Sequence, residues 1–326
     1  MTPRPLLLAA LALVLATGAT AQPADAPGLL VMAHGGDPAW NTSVEDALAP
    51  LRDRYPLSLA FGMADPASLG AGIEELAEQG AERAAVVRLF LDGRSFLHQT
   101  EYFLGLREDP PAVFVLHGAH GAPAGHGAAG HGGGHATAGH GAGQGAAAGH
   151  DGAHAAAATP QPVAHDLALA LSPDGLMQAD EVADILAARA EAISQSPAEE
   201  SVLVLAHGTG DDVENARWIA AMERLTGGLR ADGYHAVRVE TLREDWPEPR
   251  AAAERAIRGF VTAETEAGRR VLVVPFRLSG FGPYRAVLDG LDYTASEAGI
   301  LPHAAVTDWV EREYRAVLAR EGWVAP

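Results

Sequence analysis

Apolar and polar positions along this chain alternate between short continuous hydrophobic runs and longer stretches of helical spacing. Leu29-Leu30-Val31-Met32-Ala33 is five apolar residues in a row, closed by His34-Gly35-Gly36. A run of that length bounded by glycine predicts a strand covered on both faces. The figure returns at 202–206, which ends in His207-Gly208. Further apolar runs predict strands at 57–62, 84–91 and 113–116 in the first half, and at 236–242 and 271–276 in the second. A run at 167–171 leads into the second half. Helical spacing between them predicts helices over 44–54, with Asn41-Thr42-Ser43 as caps, and over a stretch from 66 to about 80. A short helix ends near 106. In the second half, helices are predicted at 180–193, 213–229, 250–267, through 291, and at 307–320. The last places Trp309, Val310, Tyr314 and Val317 on one face. Strands alternating with helices of this length predict an α/β fold, each half a parallel sheet flanked by helices.

The halves match in order, so the chain reads as one ancestral unit used twice. His34 falls on His207 and Phe90 on Phe276, whereas His98 falls on Pro283 or Tyr284. The second copy keeps the first histidine and lacks the second.

Composition changes this picture in three places. All 23 basic residues are arginine, against 42 acidic residues and a formal charge of −19, which disfavours nucleic acid as a partner. The absence of lysine excludes a Schiff-base enzyme or a P-loop NTPase, and the absence of cysteine excludes disulfides and thiolate metal sites. Residues 1–21 have the form of an export signal: Arg4, an apolar core at 6–14, and the small-residue site Ala19-Thr20-Ala21. The expectation is a periplasmic or secreted protein, with no membrane attachment after cleavage. Between 117 and 160 the chain turns to glycine, alanine and histidine, with His117, His120, His126, His131, His135, His140, His150 and His154 in sequence. So few large apolar residues predict disorder, and flexible imidazoles at such spacing are suited to capturing a borderline divalent metal. The expected organisation is a signal at 1–21, an amino-terminal domain at 27–116, this linker at 117–160, and a carboxyl-terminal domain at 161–326.

The candidate chemistry lies at the strand ends. Open α/β sheets bind small molecules at the carboxyl edge of their strands, and strands one and three of such a unit are commonly neighbours. His34 and His98 are therefore candidates for a shared crevice, as metal ligands or proton acceptors. Two unrelated polar loop residues would give the same pattern.

Ala33-His34-Gly35, the stretch 60–69 (Ala-Phe-Gly-Met-Ala-Asp-Pro-Ala-Ser-Leu) and the stretch 80–91 together resemble the CbiX-type sirohydrochlorin chelatases, which are class II chelatases. The resemblance covers most of both halves and implies two duplicated chelatase-like (Rossmann-like) domains facing a tetrapyrrole. It also implies insertion of a divalent metal, cobalt first and nickel or iron next, as substrate. Long family members carry a histidine-rich segment, as this chain does. Carried over by position, His34 and His98 would hold the metal and take the pyrrole protons. His207 would be the second-half counterpart, and Glu240 either an acidic partner on strand two or a solvated strand-end charge. This chain departs from the family pattern at Phe61-Gly62-Met63, which has no acidic residue, and in the loop 92–98, about one residue longer. Self-association is left open.

Other classes fail on their motifs. A serine hydrolase would need a Gly-x-Ser-x-Gly elbow, which is absent, and Gly208-Thr209-Gly210 lacks the third glycine of a dinucleotide fingerprint. The competing reading is an exported, non-enzymatic metal- or haem-binding protein on a chelatase scaffold.

Overall fold

The computed structural model describes residues 26–115 and 159–325. The segment expected to be an export signal and the eight linker histidines lie outside the described residues. Two parallel four-stranded sheets form. The first runs β2 (Leu57–Phe61), β1 (Gly28–Ala33), β3 (Arg83–Leu89), β4 (Ala168–Leu171), and the second runs β6 (Ala236–Thr241), β5 (Glu200–Ala206), β7 (Arg270–Phe276), β8 (Thr294–Ala295). The matching orders are the structural face of the duplication.

Every residue of β1 and of β5 is buried, as the unbroken apolar runs predict. Successive side chains point to opposite faces. Leu29, Val31 and Ala33 therefore enter one core, while Leu30 and Met32 enter another. In the second sheet Val202, Val204 and Ala206 join the same cluster as Leu29 and Val31, and Leu203 and Leu205 face an outer core of their own. The two sheets thus share one inner core. Outside it, α2 (Pro66–Glu78) and α3 (Leu97–Phe103) cover the first sheet, and α7 (Pro247–Glu266) and α8 (Tyr284–Val287) cover the second.

The inner helices are exchanged. After β4 the chain forms α4 (Glu181–Glu191), which packs on β7, α5 (Asp212–Leu225) and α6 (Gly227–Ala231) of the second lobe. After β8 the last helix, α9 (Ala304–Glu321), packs on β3, β4 and α1 (Pro38–Arg52) of the first. Trp309, Val310 and Tyr314 are fully buried there, on the face that the periodicity assigned.

Three expectations change. The fourth strand of the first sheet is β4, beyond the linker, and not 113–116. In the described residues 113–115 form no strand, because Gln99 occupies that backbone: its amide exchanges hydrogen bonds with Val115 N and O at 2.9 and 3.0 Å. Residues 168–171, placed by sequence in the carboxyl-terminal domain, pair with Arg83–Val86 of the first sheet. Finally, α1 begins at Pro38 rather than near 44. Asp37 accepts a hydrogen bond from Trp40 N at 2.9 Å, and proline at the first helical position needs no donor. Among the described residues no helix is long and apolar enough to cross a membrane.

A shared core predicts one cooperative unfolding event for the whole chain. Trp309→Ala should cost about 3–5 kcal/mol, measured by denaturant titration, and both lobes should still melt in a single transition. Two separated transitions would contradict the exchange of helices.

The start of α9 adds a pH dependence. His303 is its N-cap, with Nδ1 accepting from Ala305 N at 3.2 Å, which only the neutral ring can do. Burial, then the neighbouring Arg189, lowers its pKa from the ordinary 6.5. A depressed histidine stabilises the fold above its unfolded pKa, and that contribution fades as pH falls through the folded one. His303→Ala should therefore cost about 1 kcal/mol at neutral to alkaline pH, the deficit shrinking in acid. His303→Asn should keep the cap and flatten the profile.

Candidate active site

The two first-lobe histidines rise from adjacent strands. β1 and β3 pair in parallel with Ala33 opposite Leu89, so His34 leaves the sheet beside the strand whose outgoing loop carries His98. His34 is exposed. Its Nδ1 lies 2.7 Å from Gly35 O, and Trp40 stands edge-on to it with the ring centres 6.3 Å apart. Trp40 in turn meets Phe61, ring centres 6.3 Å apart, so an aromatic row runs from His34 along this edge. Gly36 N donates to Asn41 Oδ1 at 2.9 Å and ties this loop to α1.

His98 sits in the first turn of α3, half-exposed. Its Nε2 is 3.0 Å from Asp109 O and 3.5 Å from Asp109 Oδ2. What the two rings share is the edge of the sheet where β1 and β3 run side by side. Among the described residues no three histidine, aspartate or glutamate side chains gather into a metal-binding group.

Arg88 holds the loop beneath His98. It lies on β3 with 0% exposure, and its guanidinium donates to Ser95 O at 2.8 Å, to Pro173 O at 3.2 Å and to Gly93 O. Burial pushes its pKa down to about 10, with Glu101, Asp92 and Asp174 acting in the opposite sense. The same loop is pressed against the segment after β4. A Cβ on Gly93 would stand 2.5 Å from Pro173 O, so only glycine permits that approach. The sign of this arrangement was visible in the sequence as one arginine inside the apolar run 84–91.

The second lobe is built differently at the equivalent edge. His207 Nδ1 lies 2.8 Å from Gly208 O, and its Nε2 lies 3.1 Å from Asp245 Oδ2 and 3.9 Å from Glu244 Oε2. Both ring nitrogens face protein oxygens. Glu244 also accepts from Arg277, whose guanidinium lies 5.7 Å from the Tyr284 ring centre. Burial raises the Tyr284 phenol well above its ordinary pKa. Trp246 stands edge-on to His207, ring centres 5.9 Å apart, as Trp40 does to His34; Trp246 is the N-cap of α7, whereas Trp40 lies in the first turn of α1. Glu240 does not join this group, because Arg238, two residues back on the same face of β6, donates to it at 2.8 Å. The acidic neighbours of His207 follow β6 in the stretch Arg243-Glu244-Asp245-Trp246.

This architecture, two duplicated four-stranded parallel sheets with histidines at their carboxyl edges, is the class II chelatase fold. SirB from Bacillus subtilis with Fe3+ is similar over 91% of this chain and 98% of its own length, with a TM-score of 0.57 and 14% identity. The sirohydrochlorin chelatase SirB from Bacillus subtilis subspecies spizizenii in complex with cobalt is similar over 91% and 97%, with a TM-score of 0.54 and 13% identity. No protein-family model matches the sequence, and no curated protein matches it. At these identities it is the fold that is shared.

Replacing Arg88 by methionine removes a buried cation but leaves the carbonyls of Gly93, Ser95 and Pro173 without their donor. The expected cost is about 1–3 kcal/mol, with faster amide exchange confined to residues 92–98. Unchanged exchange in that loop would remove Arg88 from its support.

Proposed function

We propose that the protein is a tetrapyrrole metal chelatase acting outside the cytoplasm, with a sirohydrochlorin-type ring and a divalent metal as substrates. Cobalt is the first choice, with nickel and iron next. The single observation that carries this reading is that, in the chelatase fold, His34 directly follows β1 while His98 lies at the start of α3, on the outgoing connection of the neighbouring β3. Insertion requires that the metal lose water and that two pyrrole N–H protons depart. Neutral imidazoles serve both needs, as ligands to the arriving ion and as acceptors of the protons. In this reading His34 and His98 do the chemistry. His207, with both nitrogens already facing protein oxygens, supports the second lobe instead. The histidines of 117–160 would load or buffer the metal before transfer.

The competing reading is an exported protein that binds metal or haem without turnover. It draws support from the first-lobe edge, where the segment Phe61-Gly62-Met63 has no acidic residue and Phe61 packs against Trp40.

Incubation of the purified chain with sirohydrochlorin and Co2+ should give the absorption change of metal insertion over many turnovers. His34→Ala and His98→Ala should each lower kcat/KM by roughly 10²-fold or more, while His207→Ala should retain most of the activity. Deleting residues 118–158 should raise the Co2+ concentration needed for half-maximal rate and leave the rate at saturating metal unchanged. Stoichiometric uptake without turnover would establish the binding reading.

A further inference from the structure

The loop that leads into α3, where His98 sits in the first turn, is held from the other lobe. Arg94, within that loop, donates to Glu214 in the first turn of α5, a contact spanning 120 residues of sequence. Asp92, which opens the loop, accepts from Trp218 Nε1 at 3.3 Å and caps the loop internally through Arg94 N at 3.1 Å. Glu214 and Trp218 lie one helical turn apart, so α5 presents both to the same loop. Arg217 pairs with Glu214 at 2.9 Å and keeps the carboxylate on that face. The first turn of α5 is itself set by Asp211, whose side chain accepts from Glu214 N at 2.8 Å. Arg88 thus restrains the loop from beneath and α5 restrains it from outside.

We infer that the second lobe, which lacks a counterpart of His98, serves the reaction as the outer jaw of a clamp. Glu214 and Trp218 are positioning residues for His98, acting through Arg94 and Asp92. The inference rests on the chelatase reading for the role of His98 and extends it to residues of the second half. A ligand held on a loop binds metal well only if the loop does not have to be ordered afterwards. Fixing the loop from two lobes gives that order in advance.

The test uses the full chain with Co2+ alone as the probe. Visible absorption of bound Co2+ is titrated, and the part lost in His98→Ala defines the His98 signal, so that the linker histidines cancel. Glu214→Gln and Trp218→Phe should each weaken the apparent affinity of that signal about fivefold, the size expected of a partly exposed ion pair or a single hydrogen bond. Glu214→Asp should recover most of the loss, amides 93–98 should exchange faster in Glu214→Gln, and the thermal midpoint should stay in place. A Glu214→Gln chain with the wild-type Co2+ affinity and wild-type exchange would overturn the clamp while leaving the site intact. A wild-type chain without any His98-dependent signal would overturn the metal reading of His98 and with it the purpose assigned to the clamp.

Discussion

Burial of one apolar core between two sheets is the constraint on which the rest of this molecule depends. Each sheet has two apolar faces to cover; the inner face of the first is covered by its own α1 together with α9, and that of the second by its own α5 and α6 together with α4, the helix that follows β4. Each lobe completes its inner face with a helix that follows the last strand of the other. The register of β1 against β3 is therefore maintained by residues more than two hundred positions away, including Trp309 and Tyr314 on α9. That register is what sets His34 beside the outgoing loop of His98.

The duplication has been used asymmetrically. Both copies end their first strand in His-Gly, and both place a tryptophan edge-on to the imidazole. In the second copy, Asp245, Glu244 and Arg277 fill the edge of the sheet with charges that answer one another. In the first copy the corresponding edge is more open, with an exposed His34 and a half-exposed His98. In the reading proposed above, the first edge does the work and the second supplies packing and restraint. Divergence of the second edge then costs nothing, provided that its helices continue to support the first.

The loop from 92 to 96 is where packing and proposed chemistry meet. A fully buried arginine with backbone carbonyls as its hydrogen-bond partners is an expensive way to stabilise a fold, because its charge is removed from water with no carboxylate bonded to it. Its hydrogen bonds do define a loop geometry, since three carbonyls from two separate segments must converge on one planar fork. The glycines at 93 and 175 permit the backbone contact that brings those segments together.

Much of this was legible in the chain itself. Unbroken apolar runs fixed β1, β3, β5 and β7 to within a residue or two, because strands buried on both faces leave no other reading of such runs. The repeated His-Gly step exposed the duplication and pointed to His34 and His207, and the position after the third predicted strand pointed to His98. What pattern could not reveal was which strand completes the first sheet, that α4 and α9 trade places, that Glu240 is taken by Arg238, and that His207 faces Asp245. Nor could it pair Arg94 with Glu214. Periodicity reports how one segment meets its surroundings, and it carries no information about which distant segment those surroundings are; that choice is made only when the sheets close over a common core.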